Sequence, residues 1–155
     1  MKHTIFIVSV LLLLAGLVGC QKYSNEDIEA QWKLVSMTDL ATGAEQMVQG
    51  KTVAEWGSNW NFQLDLLQMR QTQRSVPAGL CPEAIARYRK TSDSLFVEPV
   101  YWHFRNRDSL LTDGATTALE HFGVRGNAGA FAVEKFSDDE MVLTSATDRL
   151  RFKKW

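Results

Sequence analysis

The sequence predicts an all-β domain, an antiparallel barrel or sandwich of seven to eight strands with one or two short helices. Three observations lead there. Trp60-Asn61-Phe62-Gln63-Leu64-Asp65-Leu66 alternates apolar and polar residues without a break, the pattern of a strand with one buried face. Three β-prone runs close the chain, at 131–135, 141–145 and 149–154, separated by Ser137-Asp138-Asp139-Glu140 and Ala146-Thr147-Asp148, which are turn formers. Across the whole chain such runs follow one another at short spacing with turn residues between them, the arrangement of hairpin-connected strands.

The first 19 residues stand apart from this domain. Lys2 precedes an apolar run of 14 residues from Ile5 to Val18, the length of a signal-peptide core and short for a membrane-spanning helix. Leu17-Val18-Gly19-Cys20 closes it. This order of charge, apolar run, small residue and cysteine resembles the lipobox of bacterial lipoproteins. The resemblance implies cleavage before Cys20, diacylglycerol on the Cys20 sulfur, and acylation of the new amino terminus with a fatty acid such as palmitate. The chain then divides into a signal peptide at 1–19, a lipidated tether at 20–29 and a folded domain at 30–155. A ten-residue tether spans at most roughly 30 Å, which keeps the domain near the membrane. Gln21 after the cysteine resembles outer-membrane sorting in Gram-negative bacteria. Surface-exported lipoproteins of this resemblance carry acidic residues right after the cysteine, whereas here the first acids come at Glu26 and Asp27, so the resemblance implies the periplasmic face over the cell surface.

The elements follow in order. Ser24 or Asn25 can cap one helical turn over Glu26, Asp27 and Ile28. Trp32-Lys33-Leu34-Val35-Ser36-Met37 begins the β structure. Trp32 and Leu34 share one face and Val35 and Met37 the other, so either both faces are covered or a bulge shifts the phase. Residues 39–50 read as a loop broken by Gly43 and Gly50, and Thr52 to Trp56 as a short strand. After the strand from Trp60, Leu67 and Met69 continue on the opposite phase, which predicts a bulge or strong bend. Residues 71–82 form a loop with two prolines. Ala84 to Lys90 reads as a strand, with a helix as the alternative. It would pair across Thr91-Ser92-Asp93-Ser94 with Leu95 to Val97, setting Tyr88 against Val97, Lys90 against Leu95 and Arg87 against Glu98. Val100 to Phe104 is a further strand, followed by a turn at 105–108. Residues 116–122 predict a short helix, capped by Asp113 or Thr116 and stopped by Gly123. In the last run Leu150 and Phe152 face inward while Arg149, Arg151 and Lys153 face water.

Trp32-Lys33-Leu34-Val35-Ser36, the stretch from Trp60 to Arg70, the hairpin around Ser92-Asp93-Ser94-Leu95-Phe96-Val97 and the ending from Val133 to Lys154 together resemble the lipocalin-like lipoproteins of Bacteroidota. The resemblance implies a small up-and-down barrel of the calycin type, open at one end, on a lipid anchor. It departs from lipocalins proper in three ways. Ala30-Gln31-Trp32 keeps their first-strand tryptophan without the glycine of Gly-x-Trp. Arg149 and Arg151 stand where a late arginine would meet that tryptophan, yet alternation turns both to solvent. The predicted helix precedes the last strands instead of following them.

Chemistry is sparse. The chain carries 17 Lys and Arg against 18 Asp and Glu, a formal net charge of −1, which gives no electrostatic footprint for nucleic acid. With Cys20 committed to lipid, Cys81 has no disulfide partner and reads as a small buried hydrophobe. Pro82 and Glu83 after it could instead start a helix that activates the thiol. His103 and His121 lie in no metal-binding spacing. His103 alternates to the face opposite Trp102 and Phe104 and reads as solvated; His121 reads as exposed or capping. Asp138-Asp139-Glu140 reads as a turn cluster, not an acid–base pair. The sequence therefore names no catalytic residue, metal ligand or cofactor. What remains is an aromatic face: four of the five tryptophans fall between Trp32 and Trp102. Trp60, Phe62, Leu64 and Trp102 are the candidates to line a site for a small apolar ligand. Small barrels are either filled by side chains or hold one ligand, and period-two aromatics fit both. In the filled case the partner is an envelope protein or glycan met on the outside, with residues 105–107 and the loop 71–82 as contact points.

Overall fold

The computed structural model describes residues 27–104, 107–112 and 117–155. Its strands are β1 (Gln31–Asp39), β2 (Asn59–Gln63), β3 (Leu66–Arg70), β4 (Glu83–Lys90), β5 (Ser94–Phe104), β6 (Arg107–Leu110), β7 (Gly129–Phe136), β8 (Glu140–Thr144) and β9 (Asp148–Lys154), with one short helix α1 (Val53–Trp56) and a 3₁₀ turn at Glu120–Phe122. Each barrel strand pairs antiparallel with the next, and β9 returns to β1. The result is a closed eight-stranded up-and-down barrel of β1–β5 and β7–β9. Closure leaves no free edge in the wall. β6 is the ninth strand and stands outside the circuit. Along β5, Ser94 to Val97 pairs with β7 while Tyr101 to Phe104 pairs with β6.

The bulge expected in β1 is present. Pairing with β9 shifts register between Leu34 and Ser36. Trp32 and Leu34 point inward before the shift and Met37 after it, all three buried, so Val35 absorbs the change of phase. A second shift lies between Ala86 and Tyr88 in the β4–β5 pair. Residues 84–90 are strand, and Tyr88 faces Val97 and Lys90 faces Leu95 as expected. The shift removes the expected pairing of Arg87 with Glu98. Arg87 instead bonds the Asp65 carboxylate across the β2–β3 turn.

The stretch from Trp60 to Leu66 is not one strand. It breaks into β2 and β3 around a two-residue turn, Leu64-Asp65, where Gln63 pairs with Leu66. Leu64 has φ 57 and its N–H donates to Glu29 Oε1 at 3.0 Å. The opposite phase of Leu67 and Met69 is therefore the return strand, not a bulge. Residues 53–56 also differ from expectation, being helical. Thr52 caps the helix, accepting from the Glu55 N–H while Glu55 accepts from the Thr52 N–H at 2.7 Å, a reciprocal capping box.

The two ends of the barrel differ. One carries the tight turns at 64–65, 91–93 and 137–139. Residues 27–29 pack there: Ile28 is buried, its carbonyl accepts from Trp32 Nε1 at 2.9 Å, and Asp27 pairs with Lys90 at 2.8 Å. The tether expected at 20–29 thus ends in fixed structure. The other end carries the loops 39–50 and 71–82, α1, and the segment 117–124. Ala118, Leu119, Phe122 and Val124 of this segment join the core and plug that end of the barrel. Gly123, at φ 80, terminates the 3₁₀ turn, as the glycine signal predicts. The caps expected from Asp113 and Thr116 lie outside the described residues.

Candidate functional site

Trp60 sits at the centre of the barrel. It is fully buried; its ring centroid lies 4.9 Å from that of Phe152, 5.7 Å from Phe131 and 6.0 Å from Phe62. Its indole N–H donates to the Phe122 carbonyl at 3.0 Å, so the plug supplies the partner that a buried indole needs. Phe62 packs edge-on against Tyr88 at 4.8 Å, and the Tyr88 hydroxyl donates to the Leu64 carbonyl at 2.8 Å. Burial raises the Tyr88 phenol to about 12, with the carboxylates of Glu29, Asp27 and Asp65 adding to the rise.

Around these rings, Trp32, Leu34, Leu67, Met69, Leu95, Val97, Leu143 and Leu150 have no surface open even to water. The side chains fill the interior at close packing. Of the four residues expected to line a ligand site, Trp60 and Phe62 face inward into this filled core. Trp102 is half-buried and packs against it. Leu64 is a correction: at the β2–β3 turn it is 59% exposed on the outside of the barrel. Leu66, across that turn, is exposed as well.

His121 is a second correction. It is fully buried in the plug, 3.9 Å from the Phe122 ring and 5.8 Å from that of Trp56 by centroid. Neither ring nitrogen has a hydrogen-bond partner. Burial lowers its pKa to about 4; the Cys81 backbone nearby pulls weakly the other way. Cys81 is buried as expected. Burial raises its thiol to about 12, beyond any opposing effect of its hydrogen bond to the Glu83 carbonyl, so it is not an activated nucleophile.

His103 is partly exposed on the outer wall. Its Nδ1 lies 2.7 Å from Asp108 and its Nε2 3.9 Å from Glu83 Oε1. Glu83 Oε1 in turn accepts from Gln68 Nε2 at 2.5 Å. Among the described residues no group of three or more His, Cys, Asp or Glu is placed to hold a metal ion. Asp139 lies in the β7–β8 turn and Glu140 opens β8, where Lys135 and Arg151 hydrogen-bond it and hold its carboxyl at about 2. Lys154, not Arg149 or Arg151, lies over the Trp32 ring, at 5.6 Å. Arg149 pairs with Glu134 at 2.5 Å and Arg151 with Glu140 at 2.6 Å.

The outer wall carries a cleft of about 560 Å³ over β1, β2 and β3, lined by Gln31, Asn59, Asn61, Gln68, Gln71 and Gln73 together with Arg70 and Thr72. Gln31, Asn59, Asn61, Gln68 and Arg70 are the polar half of the alternation whose apolar half fills the core, and Gln71, Thr72 and Gln73 come from the loop after β3. The sequence signal for them was present in Asn59, Asn61 and Gln68, which flank the inward Trp60, Phe62, Leu67 and Met69. A second cleft of about 400 Å³ lies over β1, β7, β8 and β9; there Lys135 and Arg151 both pair with the one carboxylate of Glu140.

The sequence matches the lipocalin-like domain family over residues 12–155. The chain belongs to that family. The lipocalin-like fold is a binding type of fold and generally a non-catalytic one. It is similar to a solved lipocalin-like protein from Bacteroides uniformis, with 16% identity and a TM-score of 0.55 over 83% of this chain and 99% of that one. It is similar in the same degree to a solved uncharacterized protein from Bacteroides eggerthii, with 15% identity and a TM-score of 0.55 over 81% of this chain and 98% of that one. At such identities the likeness is one of fold. No curated protein matches the sequence. Cys20, the expected lipid attachment point, lies outside the described residues.

Proposed function

We propose that this lipocalin-like domain is a lipid-anchored, non-catalytic binding module of the cell envelope, held through Cys20 on the periplasmic face of the outer membrane, and that it binds on its outer wall instead of around an internal apolar ligand. The observation that carries the reading is the sealed interior. Trp60 fills the centre of the barrel, its one polar atom is bonded to the plug, and its ring neighbours Phe62, Phe131 and Phe152 are at most 3% exposed. A ligand pocket of the usual size needs several hundred Å³ (about 300–1,000), and the described interior is occupied by side chains. The anchor rests on the residues at 2–20 and their resemblance to a lipobox.

Native mass spectrometry of the full chain, repeated under denaturing conditions, tests the reading. The expected result is one mass under both, that of residues 20–155 with the covalent lipid on Cys20. An additional apolar compound that leaves on denaturation would overturn it. That outcome would favour a second reading, in which the plug moves and the barrel admits a ligand. The buried, unpartnered His121 favours this alternative, because it weakens the plug. Protease treatment of intact cells that removes the domain would place it on the cell surface instead.

A further inference from the structure

We propose that the outer cleft over β1–β3 is a binding site for a neutral saccharide, a short oligosaccharide segment with free hydroxyls. This deepens the outer-wall reading above and rests on it. The cleft is lined by six side-chain amides. An amide offers two donors and an acceptor in one plane, which match the paired donor and acceptor character of neighbouring sugar hydroxyls. The wall is built and held. Gln71 is buried and clamps the loop, accepting from the Gln73 N–H and donating to the Gln73 carbonyl at 3.1 Å. Gln73 Nε2 donates to the Glu55 carbonyl at 2.6 Å, tying the loop to α1.

The floor holds a group that this frame leaves unsatisfied. Asn59 points outward from β2, yet it is only 5% exposed. Its Nδ2 donates to the Gly57 carbonyl at 2.6 Å, which fixes the amide orientation, and its Oδ1 has no partner. That acceptor is closed even to a water-sized contact, so the groups a sugar hydroxyl meets are the more open amides of Gln31, Asn61 and Gln68.

Charge selects against ions. Arg70 is the one charged residue of the lining, and its cross-strand neighbour is Glu83. Glu83 beside Arg70 offsets the one charge of the lining, and the nearest further cation, Lys33, sits over the Trp155 ring at the margin of the cleft. The second cleft differs in that its charges are already paired. Beside the floor, Trp155 is 74% exposed. Its backbone N–H donates to the Gln31 carbonyl at 2.9 Å, and Lys33 Nζ lies 5.8 Å from its ring centroid. An exposed indole next to a polar cleft offers an apolar face for the C–H side of a sugar ring. A peptide fits less well. Extended peptides bind by adding to a sheet edge, and β1, β2 and β3 are each paired on both sides. The lining also provides no apolar pocket for peptide side chains.

The test is a titration of the full chain in detergent micelles with maltohexaose, cellohexaose and chitohexaose, read by NMR from the Asn and Gln side-chain amides and the indole N–H groups. At least one sugar should shift Gln31, Asn61, Gln68 and Trp155 while the buried Trp60 indole stays in place. Trp155→Ala and Gln68→Ala alter exposed or half-exposed groups and leave the core intact. Each should weaken that binding at least fivefold with an unchanged unfolding transition. No shift with any of the three at millimolar concentration overturns the saccharide site, as does a shift that both variants leave unaltered. An uncharged extended peptide moving the same amides where the sugars do not also overturns it. None of these outcomes changes the native mass, so failure here is distinct from the failure of the outer-wall reading.

Discussion

His121 shows how one side chain can set the acid response of the fold. Its folded pKa is about 4 against 6.5 for the ordinary imidazole, chiefly through burial. The unfolded chain takes up a proton below pH 6.5 that the folded chain refuses until about pH 4. Stability therefore falls as pH drops through that window, by about 3 kcal/mol in all from this residue. Replacing it by leucine removes both the titration and the unpartnered ring nitrogens. His121→Leu should raise stability at neutral pH by about 1 kcal/mol and flatten the loss between pH 6.5 and 4, as read from urea unfolding across that range. An unchanged slope would assign the acid response to other groups. Trp60 behaves in the opposite sense. It contributes packing, and Trp60→Ala should lower stability by about 3–5 kcal/mol. The apolar cavity left behind should take up added indole, restoring part of the thermal midpoint. A mutant of wild-type stability would show that the ring lines a space instead of filling one.

At the scale of elements, the plug depends on Gly123. Its φ is 80, and a Cβ there would stand 2.8 Å from both methyl carbons of Leu150. Gly126 has a similar φ of 83 with nothing within 4 Å. Gly123→Ala should therefore destabilise by about 2–3 kcal/mol, combining backbone and crowding. Gly126→Ala should cost only the backbone part, about 1 kcal/mol; thermal or urea unfolding of the pair separates the two contributions. Equal losses would mean that Leu150 moves aside freely. The Gly123 stop was legible because glycine signals act locally. The last three strands were legible for the same reason, each bounded by its own turn residues. The β2–β3 hairpin was not. Its turn is Leu64-Asp65, and leucine rarely takes a left-handed φ, so the alternation ran through the turn unmarked. That one misplaced turn put Leu64 and Leu66 on the inner face and hid a strand. α1 was missed because Val53 and Trp56 are β-prone, while the Thr52–Glu55 capping box that decides the matter spans only four residues. His121 escaped because its burial comes from the barrel closing around it, which no local pattern announces. The amide cleft was half legible: the outward residues were identifiable from the alternation, but the loop at 71–73 that walls them is placed by tertiary packing.

The whole molecule has a direction, set by where the chain enters. Residues 27–29 are fixed at the end with the tight turns, through Ile28 in the core, Asp27 on Lys90 and Glu29 on the Leu64 N–H. From Cys20 to Asp27 the chain can reach at most roughly 25 Å. A lipid on Cys20 would hold this end toward the bilayer and turn the plug, α1 and the long loops away from it. Leu64 at 59% exposure and Leu66 at 47% lie at the near end, and Met47 at 59% lies in a loop of the far end. The near leucines sit among the ion pairs Asp27–Lys90 and Asp65–Arg87 and the carboxylate of Glu29, so the tip should rest at the headgroup level without deep insertion. A fluorophore placed by Leu64→Cys should lose access to a water-soluble quencher when the anchored protein is moved from detergent to vesicles, and the same label placed by Met47→Cys should not. The label chemistry needs Cys81 to stay silent, which its burial and raised thiol pKa favour. Cys20→Ala should abolish the difference between the two sites by releasing the domain from the vesicles. Equal protection of both labels would mean a barrel lying on its side, and the cleft over β1–β3 would then compete with the membrane for the same wall. Protection of Met47 alone would reverse the orientation and remove the tether from its place as the determinant of which face meets a partner.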